Sequence, residues 1–202
     1  MLKQKKSKFV LGITGSMGSG KSTVARMFKT SDCQLIDADC LGHDLMFIGT
    51  GVYREIIKSF GRLILKPDNS IDRAKLASVA FANKAALSKL NSIVHPAVIA
   101  QIRRRIKGSD KKIIILDAAL IIESGLRKMV DKLVVVTASR QQQILRSQKR
   151  LGLSKIEVSR RIKYQISQNA KLCLADFIID NSGVISKTRE KVSEIRRNLW
   201  RS

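Results

Sequence analysis

Fifteen residues near the N-terminus, FVLGITGSMGSGKST at positions 9–23, restrict this chain more than any other stretch. Phe9, Val10, Leu11 and Ile13 form an apolar run of the kind that makes a strand buried on both faces. A glycine-rich turn follows, Gly15-x4-Gly20-Lys21-Ser22, and then a helical pattern from about Ser22. Strand, glycine loop and helix start in this order make the Walker A arrangement. Gly15, Gly18 and Gly20 let the backbone turn tightly and bring its N–H groups close to phosphate oxygens. The helix N-terminus adds further donors and a positive dipole end. Lys21 can then reach the outer phosphates, and Ser22 can ligate Mg2+. An ordinary glycine-rich turn would not need the strand, the Lys and the Ser together.

Apolar runs alternate with helical patterns along the rest of the chain. This is the signature of an α/β fold, a parallel sheet flanked by helices. Strands are expected at Lys8–Thr14, Gln34–Asp37, Lys112–Asp117, Lys132–Thr137 and Phe177–Asp180. Helices are expected at Ser22–Phe28, 140–150 and 185–199, the last with Val192, Ile195 and Leu199 on one stripe. Two excursions interrupt the alternation. From Asp39 to about 107 the pattern is mostly helical. Pro67-Asp68-Asn69-Ser70 marks a turn there, and Pro96 starts or kinks a helix after His95. Residues 151–172 read as a basic helix pair packed lightly on the body, with Val158, Ile162 and Ile166 at i, i+4 and i+8.

A chain of 202 residues, 44% of them hydrophobic, suits one domain with an insertion. Its 39 Lys and Arg against 16 Asp and Glu give a net charge of +23, which attracts polyanions. That charge is spread from Lys3 to Lys8, through Arg103 to Arg105, and on to Arg196 and Arg197. Aromatic content is 4%, so the stacking platforms of single-strand nucleic-acid binders are largely missing. A solvated surface is expected, with no specific nucleic-acid partner. Cys33, Cys40 and Cys173 are scattered, which suits reduced thiols. The basic N-terminus precedes an apolar run too short for a signal peptide, and no stretch approaches the roughly 20 apolar residues that span a bilayer. A cytoplasmic protein without a membrane partner is expected, as a monomer or weak homo-oligomer.

Ligands of doubly wound sheets sit outside the carboxyl ends of the strands, so acids at strand ends come first. Asp37 and Asp39 end the second strand and point to one side if the chain stays extended. One could help hold Mg2+ while the other accepts a proton from an attacking hydroxyl; Asp39 could instead cap the next helix. Asp117 ends the run IIIL in the shape of a Walker B element, facing Mg2+ directly or through water, or capping the next turn. Glu123 could lie at the rim of the same cleft. Arg146 and Arg150 share a helix face, and Arg160 and Arg161 follow in the second excursion. Such arginines neutralise charge in phosphoryl transfer or simply stay solvated; Arg150 is the best single choice. His95 reads as a hydrogen-bonded structural residue.

The ordered motifs resemble those of dephospho-CoA kinases over nearly the whole chain. They are GITGSMGSGKSTVARMF at 12–28, LIDAD at 35–39, IDRAKLASVAF at 71–81, LNSIVHPAV at 90–98, LIIESGL at 120–126, RLGLS at 150–154, RRIKYQ at 160–165 and ADFIIDNSG at 175–183. The resemblance implies a P-loop kinase fold with a core at 8–38, 110–150 and 174–202, a helical CoA-binding insertion at about 40–107 and a lid at about 151–172. It implies ATP- and Mg2+-dependent phosphorylation of the ribose 3′-hydroxyl of dephospho-CoA. Gly18, Ser19, Gly20, Lys21, Ser22 and Thr23 match the nucleotide-binding core of the loop, Asp39 the proposed base and Arg150 a lid arginine. His95 and Pro96 match an element near the acceptor, and Asp117, Glu123 and Arg161 fall in matching segments on that side. One departure stands out. Where the family has roughly DxPLLFE, this chain reads Asp117-Ala118-Ala119-Leu120-Ile121-Ile122-Glu123. Another small P-loop kinase acting on a nucleoside or nucleotide is the rival reading, and a basic nucleic-acid-binding NTPase a more distant one.

Overall fold

The computed structural model describes residues 8–200. The basic stretch before Lys8 and the last two residues of the C-terminal core segment lie outside them. The described chain forms two compact units, one made of the chain up to Asp37 with Gly108 onward, the other of Ala38–Lys107.

The first unit is built on β1 (Phe9–Thr14), α1 (Lys21–Phe28) and β2 (Cys33–Asp37). The chain then enters the second unit, with α2 (Ala38–Asp44), α3 (Gly51–Phe60), α4 (Arg73–Ala80) and α5 (Lys84–Gly108). It returns with β3 (Ile113–Asp117), β4 (Lys132–Thr137), α6 (Arg140–Leu151), α7 (Lys155–Lys163), α8 (Gln168–Leu172), β5 (Phe177–Asp180) and α9 (Ile185–Leu199). Each strand begins and ends within one residue of its expected limits.

The five strands lie in the order β2-β3-β1-β4-β5, and every pairing is parallel. The aliphatic runs sit in the middle of this sheet because both of its faces are covered. Leu11, Ile13, Ile115, Val134 and Val136 pack with Val24, Ala25 and Phe28 of α1 and with Val192 and Ile195 of α9. Leu199 joins the edge of this cluster, so the expected α9 stripe is the face that meets the sheet. Alternation turns Gly12 to the opposite side, where Val130 and Ile121 leave no room for a Cβ.

In the second unit, Thr50 caps α3 by accepting Tyr53 N–H, and Asp72 caps α4 by accepting Ala74 and Lys75 N–H. Residues 67–70 form the expected turn, closed by Lys66 N–H to Ser70 C=O at 2.9 Å, with Asn69 in the left-handed region. Pro96 does not start its helix: α5 begins at Lys84, where Asn83 Oδ1 accepts Ala86 N–H at 2.8 Å, and runs through the proline.

The stretch after Leu151 departs from expectation in one respect. Ile166 falls beyond α7, in the turn before α8, so the i, i+4, i+8 stripe stops at Ile162. Two of its side chains, Val158 and Lys171, are fully buried, and its other residues are half-buried or exposed.

Candidate active site

The loop that joins β1 to α1 is shaped by what surrounds it. Gly18 and Gly20 have φ of 77° and 88°, a region that strains any residue with a Cβ. Space is as limiting as torsion. A Cβ on Gly18 would strike the backbone of Gln143 in α6, and one on Gly20 would strike the side-chain amide of Asn181. Gly20 is also the N-cap of α1 and has no side chain to cap it, which leaves the helix start suited to an external anion. Ser16 and Ser19 are buried, and Ser19 N–H closes a turn onto Ser16 C=O at 3.0 Å.

Lys21 leads α1 and reaches back to the sheet. Its Nζ lies 3.4 Å from Asp117 Oδ1 and 3.5 Å from Ser22 Oγ. Asp117 ends β3 almost fully buried. It pairs in register with Asp37 at the end of β2, so adjacent parallel strands bring two carboxylates to one sheet edge. The expected pairing of Asp37 with Asp39 does not form that way. The chain leaves extended geometry at Ala38, and Asp39 lies exposed in the first turn of α2. A helical step of about 100° replaces the strand's 180°, so residues two apart no longer share a side.

The segment after β3, which departs from the family's DxPLLFE pattern, is held by its own bonds. Ala118 N–H bonds Ile13 C=O at 3.1 Å, Thr14 Oγ1 donates to Ala119 C=O at 3.1 Å, and Ile121 is fully buried. Glu123 ends up half-buried, where its Oε1 accepts Ile166 N–H at 3.1 Å and lies 3.8 Å from Lys171 Nζ. Burial pushes the Lys171 ammonium below its ordinary pKa, the Glu123 carboxylate opposes that shift, and the Lys21 charge adds to it. Gln165 Oε1 accepts Met17 N–H at 3.0 Å, a second tie from the 151–172 stretch, this one to the loop itself.

The arginines divide. Arg146 is half-buried and donates through Nη2 to Asn181 C=O at 2.9 Å, whereas Arg150, one turn on, is exposed in the last turn of α6. Arg160 is exposed; Arg161 is half-buried, and desolvation lowers its pKa against the pull of Glu157. His95 is half-buried within α5 of the second unit. Sequence reasoning passed over Asn181, Gln165 and Lys171. Gln165 and Asn181 sit inside the RRIKYQ and ADFIIDNSG motifs, which could have flagged them, but their partners lie far away in the chain, and nothing local marks Lys171.

A phosphate loop between the central strand of a five-stranded parallel sheet and the helix that covers it, with a lysine set against an acid at the tip of β3, defines the P-loop kinase class. Shikimate kinase from Acinetobacter baumannii shares this fold, with a TM-score of 0.55 at 15% identity over 96% of this chain and 94% of that one. A family model for dephospho-CoA kinase matches residues 9–187. The dephospho-CoA kinase of Carboxydothermus hydrogenoformans is 40% identical over 189 residues, 92% of each chain. The structure of the Campylobacter jejuni dephospho-CoA kinase aligns with a TM-score of 0.66 at 26% identity, over 94% of this chain and 96% of that one. The chain belongs to the dephospho-CoA kinase family, whose ATP-dependent phosphoryl transfer to dephospho-CoA is the last step of coenzyme A biosynthesis. No helix among the described residues is long and apolar enough to cross a membrane.

Proposed function

We propose how the residues of this chain divide that reaction. The amides from Gly15 through Gly18, Ser19, Gly20, Ser22 and Thr23 cradle the triphosphate of ATP, and Lys21 holds its β- and γ-phosphates. Asp39 accepts the proton of the ribose 3′-hydroxyl as the γ-phosphoryl group transfers. Arg150 neutralises the equatorial oxygens of that group. The unit Ala38–Lys107, with His95, binds dephospho-CoA, and residues 151–172 close as a lid. Asp117 and Arg161 face the acceptor. Glu123 shapes that side through its bonds to Ile166 and Lys171. The reaction belongs to the cytoplasm, where ATP is abundant.

Magnesium fits the donors present. Ser22 Oγ, Asp37 and Asp117 are hard oxygen ligands near the loop. Among the described residues, no group of three or more His, Cys, Asp or Glu is placed to hold a metal ion by itself. Mg2+ characteristically uses few protein oxygens and completes its shell with substrate phosphates and water. When bound, it would screen the charge between the β- and γ-phosphates. Most of the acceleration then comes from positioning and fixed charge.

The observation that carries this reading is the 3.4 Å approach of Lys21 to Asp117, beside Asp37 at the carboxyl ends of the strands. Incubation with Mg-ATP and dephospho-CoA should yield ADP and coenzyme A by mass. Asp39→Asn should lower kcat far more than ATP affinity; the reverse pattern would make Asp39 a binding or capping residue. A thermal-shift panel in which a nucleoside or nucleotide stabilised the protein more than dephospho-CoA would move the acceptor assignment elsewhere.

A further inference from the structure

The residue that follows β5 is bonded on every side. Asn181 is 5% exposed. Its N–H donates to Thr137 C=O at 2.9 Å, at the end of β4, and its C=O accepts from Arg146. Its side chain is fixed at both ends. Nδ2 donates to Ser19 C=O at 2.8 Å, across 162 residues of chain, and Oδ1 accepts from Thr188 Oγ1 at 3.1 Å. Ser19 C=O can only accept, so the amide has one orientation, and the Thr188 hydroxyl, able to give or take, donates to the oxygen left facing it. The donor Nδ2 must face the phosphate loop.

That contact fixes more than a carbonyl. The peptide bonds among the described residues are trans, and in a trans peptide the C=O and the next N–H point in opposite directions. With Ser19 C=O drawn to Asn181, the N–H of Gly20 is turned away from Asn181. The same amide occupies the space a Cβ on Gly20 would need, so residue 20 can approach this closely only as glycine. Nothing else bonds Ser19 C=O from a side chain among the described contacts.

We propose that Asn181, held by Thr188, is a positioning residue that aims the Gly20 amide of the phosphate loop at the bound phosphates. It acts through the loop and touches no ligand. The inference rests on the phosphate-loop assignment above and extends it to a residue at the far end of the chain.

Titration calorimetry on the whole protein with two probes, ADP and inorganic tripolyphosphate, tests it. Asn181→Asp puts an acceptor against Ser19 C=O and should weaken both probes by roughly tenfold or more. Thr188→Val keeps shape but leaves Asn181 Oδ1 without its donor, and should weaken both by about threefold in protein that is still folded; Thr188→Ser should restore binding. Circular dichroism checks that each variant is folded, and if Asn181→Asp is not, the Thr188 pair decides alone. Unchanged affinity in a folded variant overturns the proposal. So does a loss confined to ADP, because it would place Asn181 against the base. Failure of the unaltered protein to bind either probe would remove the phosphate-loop assignment itself, a different result from unaltered and variant proteins binding alike.

Discussion

The phosphate loop and the stretch from Arg146 to Leu172, which the proposed reaction sets on the same anionic group, are built by different means. Half of the loop's residues are glycines, and the donors it offers are backbone amides. Its shape is imposed from outside, by the Gln143 backbone against Gly18, by Asn181 at Ser19 and Gly20, and by Gln165 at Met17. The arginine stretch is the reverse. Arg150 and Arg160 stand exposed on long side chains, while further along the same stretch the buried Lys171 lies 3.8 Å from Glu123, which also accepts Ile166 N–H. Backbone donors cannot move without dismantling the neighbours that fix them. Charges on exposed side chains can follow a substrate. Prebuilt geometry and adaptable charge are thus assigned to separate parts of one unit.

Removing the lysine that follows the loop should have the largest effect. Lys21→Ala is expected to lower kcat by about 10³, roughly 4 kcal/mol of transition-state stabilisation, with the fold intact. Near-normal turnover of the purified variant would abolish the distinction. Next comes the buried lysine of the arginine stretch. Lys171→Met leaves Glu123 without its cation and should cost about 2 kcal/mol in denaturant unfolding. A pH signature accompanies it. Because burial holds Lys171 below its ordinary value of 10.5, the unfolded chain binds more protons than the folded one between the depressed pKa and 10.5. Stability contributed by this site therefore rises with pH across that interval, and the variant should lack the rise. If the two unfolding profiles stay parallel with pH, Lys171 is not the buried charge described here.

Arg150→Ala should reduce kcat by about tenfold while leaving ATP binding nearly unchanged, the behaviour of a charge met only in the transition state. An equal loss in ATP affinity would make the arginine part of the prebuilt site. The smallest effect belongs to the start of α7, where Ser154 accepts Glu157 N–H and Glu157 returns a bond to Ser154 N–H. Ser154→Ala should lower stability by about 1 kcal/mol, measured by thermal unfolding, with turnover unchanged. A turnover defect there would mean that α7 takes part in closure as a rigid piece.

Much of this was legible from residue order. The strands announce themselves as continuous aliphatic runs because both faces of the sheet are buried. The loop is readable because Gly15, Gly20, Lys21 and Ser22 are local and their spacing is geometric. What escaped is long-range or depends on a boundary. Ser19 and Asn181 lie 162 residues apart, and Met17 and Gln165 lie 148 apart, so no window of sequence joins them. The side shared by Asp37 and Asp39 depended on extended chain that turns helical one residue early. Ile166 continued an apolar period that the backbone abandons after Lys163. Lys171 looked like one more surface cation in a very basic chain, and only its depth distinguishes it.

An all-parallel sheet also sets the order in which a growing chain can finish itself. Phe9 must wait for Ile113 and Leu11 for Lys132 before the first strand has either neighbour. The peptide that shapes the nucleotide cradle waits longer still, for Asn181. During synthesis the glycine motif therefore stays unfinished until the segment carrying Asn181, 162 residues on, has been made. Slow, non-local closure of this kind leaves apolar strands uncovered in the meantime.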